Sequence, residues 1–116
     1  MSIADDITSA LQAGAQAGAA AASTAGKNLG KDVQNFVVPQ LRDIGIQAAS
    51  IVQKRLDGTY TDVTAKALLE SEADAIQTVV ETMVTLAALE AQTIVNAIVD
   101  ALNKAVNAAV GFALLA

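Results

Sequence analysis

The chain has 116 residues, of which 53% are hydrophobic and only 3% aromatic, and it contains no Cys, His or Trp. That length fits one domain, and that apolar content excludes disorder along the whole chain. The missing His and Cys exclude the usual zinc sites, cysteine nucleophiles and catalytic triads. Seven basic residues stand against twelve acidic ones, with a pI near 4.4, so nucleic acid is not an expected partner, because phosphate contacts need clustered Lys and Arg.

The start, Met-Ser-Ile-Ala-Asp-Asp, is acidic where an export signal would be basic, and no signal peptide is expected. Ser2 and Asp5 have the spacing of an N-terminal helix cap, after which Ile3, Ile7 and Leu11 share a helical face.

From position 10, every fourth residue is small: Ala10, Gly14, Gly18, Ala22, Gly26 and Gly30. On a helix this glycine zipper makes a smooth strip that another backbone approaches closely, as small-xxx-small strips do between membrane helices. Interior glycines cost helix stability, roughly 1 kcal/mol each relative to Ala, so the strip pays only if it is closely packed. The competing reading is a low-complexity linker, since 12 of the 18 residues from Ser9 to Gly26 are Ala or Gly. The sequence favours a packing strip for self-assembly. Ile7 to Gly26 is also uncharged for 20 residues, nominally enough for a bilayer span, but it is poor in large apolar side chains.

Further along, Val33, Val37, Leu41, Ile44, Ala48, Ile51 and Arg55 hold helical spacing across Pro39. Residues 3–56 therefore form a first helical arm, broken either near Gly26–Gly30 or at Pro39, with Pro39 as the first residue of a helix or as a kink. Asp57, Gly58 and Thr59 mark a turn, following Lys54 and Arg55, with candidate caps for the next helix at Thr59, Thr61 and Asp62.

The second arm carries a polar stripe: Glu70, Asp74, Gln77, Glu81, Thr85, Gln92, Asn96, Asp100, Asn103 and Asn107, with Ala88 its one apolar gap. Ten steps cover 37 residues, or 3.7 per turn, and this regularity predicts one uninterrupted helix over 61–115, on the order of 80 Å long. An 11-residue spacing recurs within it, through Glu70, Glu81, Gln92 and Asn103, which favours nearly straight packing over a left-handed coil. Leu69, Ile76, Val80, Met83, Ile94, Ile98 and Leu102 form its apolar packing face. That face is too broad for one neighbouring helix to cover.

Charge favours folding back at Gly58. Residues 27–56 carry five basic and two acidic groups, whereas 57–100 carry eight acidic groups and one basic, Lys66. Glu70, Glu72 and Asp74 are the densest acidic group, too few oxygens for a hard cation. No phosphate-binding loop, dinucleotide fingerprint or nucleophile elbow is present, and neither enzyme activity nor a cofactor is expected. Tyr60 beside the turn is read as packing over its tip.

These elements predict an all-α single domain, an elongated antiparallel helical hairpin with its arms meeting at 57–60. Such a hairpin has too little interior for its apolar surface and would complete its core by joining a bundle, ring or tube. The expected role is a structural protein of a multi-copy assembly, similar in composition to virion-associated components of phages, located in the cytoplasm or within such an assembly. Its partners would be further copies or other proteins. Two alternatives remain: a membrane-active protein using the zipper and the apolar stretch Val110–Ala116, and a helical adaptor that completes a partner's bundle.

Overall fold

The computed structural model describes residues 2–23, 29–83, 86–112 and 114–115. Among these the chain is all-α, with helices α1 (Ile3–Ala22), α2 (Gly30–Phe36), α3 (Val38–Leu56), α4 (Asp62–Glu81) and α5 (Ala88–Val110).

Local chemistry sets most boundaries. The Ser2 hydroxyl accepts the Asp5 N–H at 3.1 Å and caps α1, with Asp5 and Asp6 at the positive end of its dipole. Ser23 ends α1: its hydroxyl donates to the Ala19 carbonyl at 2.7 Å and accepts the Leu29 N–H at 3.1 Å, tying the end of α1 to the start of α2. The segment containing Gly26 lies outside the described residues. The first arm also breaks at Val37, between α2 and α3, with Pro39 in the first turn of α3. There the missing proline N–H costs least, and the Gln40 side-chain amide donates to the Phe36 carbonyl at 2.6 Å.

The turn at Asp57 to Thr59 falls where the sequence places it. Gly58 has φ of +86°, in the left-handed region that glycine enters without a Cβ penalty. The Asp57 carboxylate accepts from the Thr59 N–H at 2.9 Å and from its hydroxyl at 2.5 Å. These bonds favour the ionised form and hold the Asp57 carboxyl below its ordinary range. Thr61 caps α4 by accepting the Thr64 N–H at 3.2 Å, and Arg55 bridges to Asp62 across the turn.

The second arm corrects the sequence reading. It is two helices, α4 and α5, separated between Glu81 and Ala88. The Thr82 hydroxyl donates to the Val79 carbonyl at 2.6 Å, Met83 is buried, and Ala87 is extended, its N–H bonded to the Glu90 carboxylate at 2.8 Å. The ~80 Å arms fold in half accordingly, and the molecule measures 49 × 26 × 20 Å. Four long helices run up and down, in the order α1, α3, α4, α5 around the bundle, with α1 and α4 on opposite corners.

A second correction follows. A two-arm hairpin would lack an interior, but the folded-back chain has one: Ile7, Leu11, Leu41, Leu69, Ile76, Ile94, Ile98 and Leu102 are all at most 1% exposed. Leu114 and Leu115 are buried as well. The apolar C-terminal stretch is thus partly packed on the bundle, and no helix among the described residues is long and apolar enough to cross a membrane.

Candidate interaction surface

All seven residues of the predicted apolar face, Leu69, Ile76, Val80, Met83, Ile94, Ile98 and Leu102, lie in the core. The break at 82–87 turns the two halves of the face toward each other and toward α1 and α3, so one chain supplies the neighbours that the face requires.

Two members of the glycine strip, Gly14 and Gly18, pack within the chain too. A Cβ on Gly14 would lie 2.9 Å from Ala101 Cβ and 3.0 Å from the Ala97 carbonyl oxygen. One on Gly18 would lie 2.9 Å from Ile94 Cα and 3.0 Å from Ala97 Cβ. Gly14 and Gly18 thus let α1 and α5 approach backbone to backbone, with Ala97 and Ala101 as the small residues opposite. Ala22 is buried and Ala10 half-buried on the same helix, while Gly30 opens α2. The surface expected to join copies is, at Gly14 and Gly18, spent on α5.

One close approach was missed. Gly45 of α3 lies against Thr8 of α1, where a Cβ would meet the Thr8 hydroxyl and sit 3.0 Å from its Cα. Its signal was a lone glycine inside a helix, where it costs helix stability unless close packing uses it.

The seam between α4 and α5 is built differently. Three hollows of about 220, 390 and 360 Å³ follow one another along it. Buried Leu69 and Val95 and half-buried Ala73 and Val99 form the floor, and Asp74, Gln77, Gln92, Asn96 and Asp100 the walls. This is the polar stripe, placed on both lips of one groove instead of along one straight helix. Its side chains pair along their own helices: Gln77 donates to Glu81 at 2.8 Å, Gln92 to Asn96 at 2.7 Å, and Lys104 meets Asp100 at 3.0 Å.

The groove is closed at one end by the C-terminal segment. Gly111, with φ of +85°, ends α5. Asn107, last of the stripe, is half-buried, and its amide donates to the Leu115 carbonyl at 2.7 Å and accepts the Leu115 N–H at 2.8 Å. Asn107 therefore acts as a clamp for the tail. At that end of the bundle Arg55 also lies 5.3 Å from the centre of the Phe112 ring, and Lys54 5.4 Å from that of Tyr60, an arrangement of mild cation–π attraction. Tyr60 is half-buried and packs against the core.

Among the described residues no group of three acidic side chains is placed to hold a metal ion. Glu70 and Asp74 stand along the groove while Glu72, half-buried, lies off it. Burial raises the Glu72 carboxyl above its ordinary range. Several large apolar side chains remain exposed, above all Val63 and Leu89 at 80% and Phe36 at 61%. Comparison with family models, curated proteins and solved structures finds no match to this chain.

Proposed function

We propose that this chain is a non-enzymatic structural protein that works by associating with further copies of itself, with the α4–α5 groove as the contact. The observation that carries this reading is the contrast between seams: α1 meets α5 at glycine distance, whereas the α4–α5 seam is left open above an apolar floor. An uncovered floor of Val99 and Ala73 is a surface that gains from burial, at about 25 cal/mol per Å².

The groove's walls favour a second copy as the occupant. Gln77, Gln92 and Asn96 carry amides, each with donors and an acceptor, so this face is complementary to itself when two copies meet about a two-fold axis. Of the wall carboxylates, Asp100 is paired with Lys104 at 3.0 Å, and Lys66 lies in the groove beside Glu70.

Light scattering over a range of protein concentrations, with and without phosphatidylcholine/phosphatidylglycerol liposomes, tests the reading. A discrete oligomer that ignores lipid and is lost in Val99→Lys supports it. A monomer at every concentration overturns self-association, and an oligomer that tolerates Val99→Lys overturns the groove as its contact. Recruitment to liposomes would favour a membrane-active role instead.

A further inference from the structure

Two observations about the α4–α5 connection pull in opposite directions. The folded chain breaks there, with Ala87 extended at φ −72° and ψ 156°. Yet the connecting sequence Thr82-Met-Val-Thr-Leu-Ala87 holds no Gly, Pro, Asn or Asp, the residues that ordinarily stop a helix. The polar stripe also keeps one helical phase from Glu70 to Asn107, straight through the connection. A helix boundary set by local chemistry would normally disturb the phase, as no constraint relates the two sides. Here what breaks the helix is tertiary: folding back buries Met83 and presents the apolar face of α5 to α1.

That same tertiary contact is available from another molecule. We infer that two copies of the chain exchange α5: in each, α4 and α5 straighten through 82–87 into one helix that crosses from its own bundle into the other. Every buried contact of α5, including the Gly14 and Gly18 seam with α1, is then made between copies as it is now made within one. Only the hinge differs between the two states. The exchanged state replaces the Glu90 cap on the Ala87 N–H by a helical main-chain bond, so the balance is set by a few local terms and by protein concentration, the usual terms of such exchange. The inference rests on the reading that the protein works by self-association. It adds a route to the pairing of bundles and leaves the α4–α5 groove open on each bundle for further contacts.

The hinge offers a substitution that separates the two states. Ala88 is exposed and is the first helical residue of α5, where proline is well tolerated, and the residue before it already has the extended backbone that proline requires. In a continuous helix the same proline would be interior. Ala88→Pro is therefore expected to keep the monomer's helicity and melting temperature while lowering the dimerisation constant by about a hundredfold or more. The converse variant, Thr82→Ala with Glu90→Ala, favours the helix and removes the cap, and is expected to raise the dimer fraction after refolding at high concentration. Size-exclusion chromatography with light scattering and circular dichroism read both. Wild-type protein that associates, with Ala88→Pro associating equally, overturns the exchange and leaves self-association standing. Wild-type protein that is monomeric after refolding at every concentration overturns both. Should Ala88→Pro fail to fold, the double variant decides, and an unchanged dimer fraction overturns the exchange.

Discussion

Helix α5 takes part in two seams that obey different rules. On its α1 side, Ala97 and Ala101 face Gly14 and Gly18, and the backbones come so close that no Cβ fits between them. On its α4 side, Val95 and Val99 face Ala73 across hollows of several hundred Å³, with amides and carboxylates on the lips. The first seam derives its stability from dispersion contacts at close range, which have no tolerance for added volume. The second leaves apolar surface uncovered and tolerates change. One helix thus serves as the rigid spine of the bundle on one side and as the wall of a candidate contact surface on the other.

The largest expected effect breaks the closed seam. Gly18→Leu places a side chain where Ile94 Cα and Ala97 Cβ already stand, and backbone atoms cannot rotate away. Overpacking of this kind costs typically 1–3 kcal/mol, occasionally more, out of a total of about 5–15 kcal/mol for a domain. Ala20→Leu, exposed on the same helix, should stay within about 0.5 kcal/mol. Chemical denaturation of the two variants compares them, and equal losses would mean that the α1–α5 approach is not what the glycines serve.

An intermediate effect concerns the order in which helices open. Seven residues of α1 and eight of α3 are buried, against four of α4, namely Ala65, Leu69, Ile76 and Val80. Among the described helices, α4 packs against α3 and α5. Native-state hydrogen exchange is expected to show α4 amides opening at lower free energy than those of α1 and the buried turns of α5, because protection follows local burial. Protection of α4 equal to that of α1 would remove the contrast between the two seams.

How much of this was legible in the sequence depends on the range of the interaction. The Ser2 cap, the turn at Gly58 and the apolar face from Leu69 to Leu102 rest on neighbours within one or two helical turns, and each lies where spacing places it. The division of the second arm does not. The stripe keeps its phase through 82–87, so periodicity alone reads one helix, and the decision to fold belongs to the packing of α5 on α1, which is distant in sequence. A weak local signal existed: Thr82, Val84 and Thr85 are β-branched, which lowers helix propensity, and Glu90 stands three residues after Ala87, as in a capping box. The glycine strip was legible as a close-packing surface, but nothing in its four-residue spacing states whether the other backbone belongs to the same chain. That partner is identified only by Ala97 and Ala101, small residues on a helix whose stripe and large apolar side chains draw the reading elsewhere.

The smallest expected effect is electrostatic and tests how dry the α4 side of the bundle is. Glu72 is half-buried, and desolvation raises its carboxyl above the ordinary range, so the folded state favours the protonated form. Below the unfolded-state pKa the group is neutral in both states and costs nothing. As pH rises through the usual glutamate range and past the elevated folded value, the unfolded chain ionises more readily, and folding stability falls. Glu72→Gln should therefore stabilise the protein slightly at neutral pH, by at most about 0.5 kcal/mol, and make no difference in acid. Asp57 has the opposite sign, since hydrogen bonds from Thr59 lower its pKa: its contribution is present above the usual aspartate range and is lost as pH falls through the depressed folded value. Thermal melts of Glu72→Gln and wild type across that span read the difference directly. A gap that stayed constant with pH would show that Glu72 acts through packing and not charge, and would place water against α4 where the structure places protein.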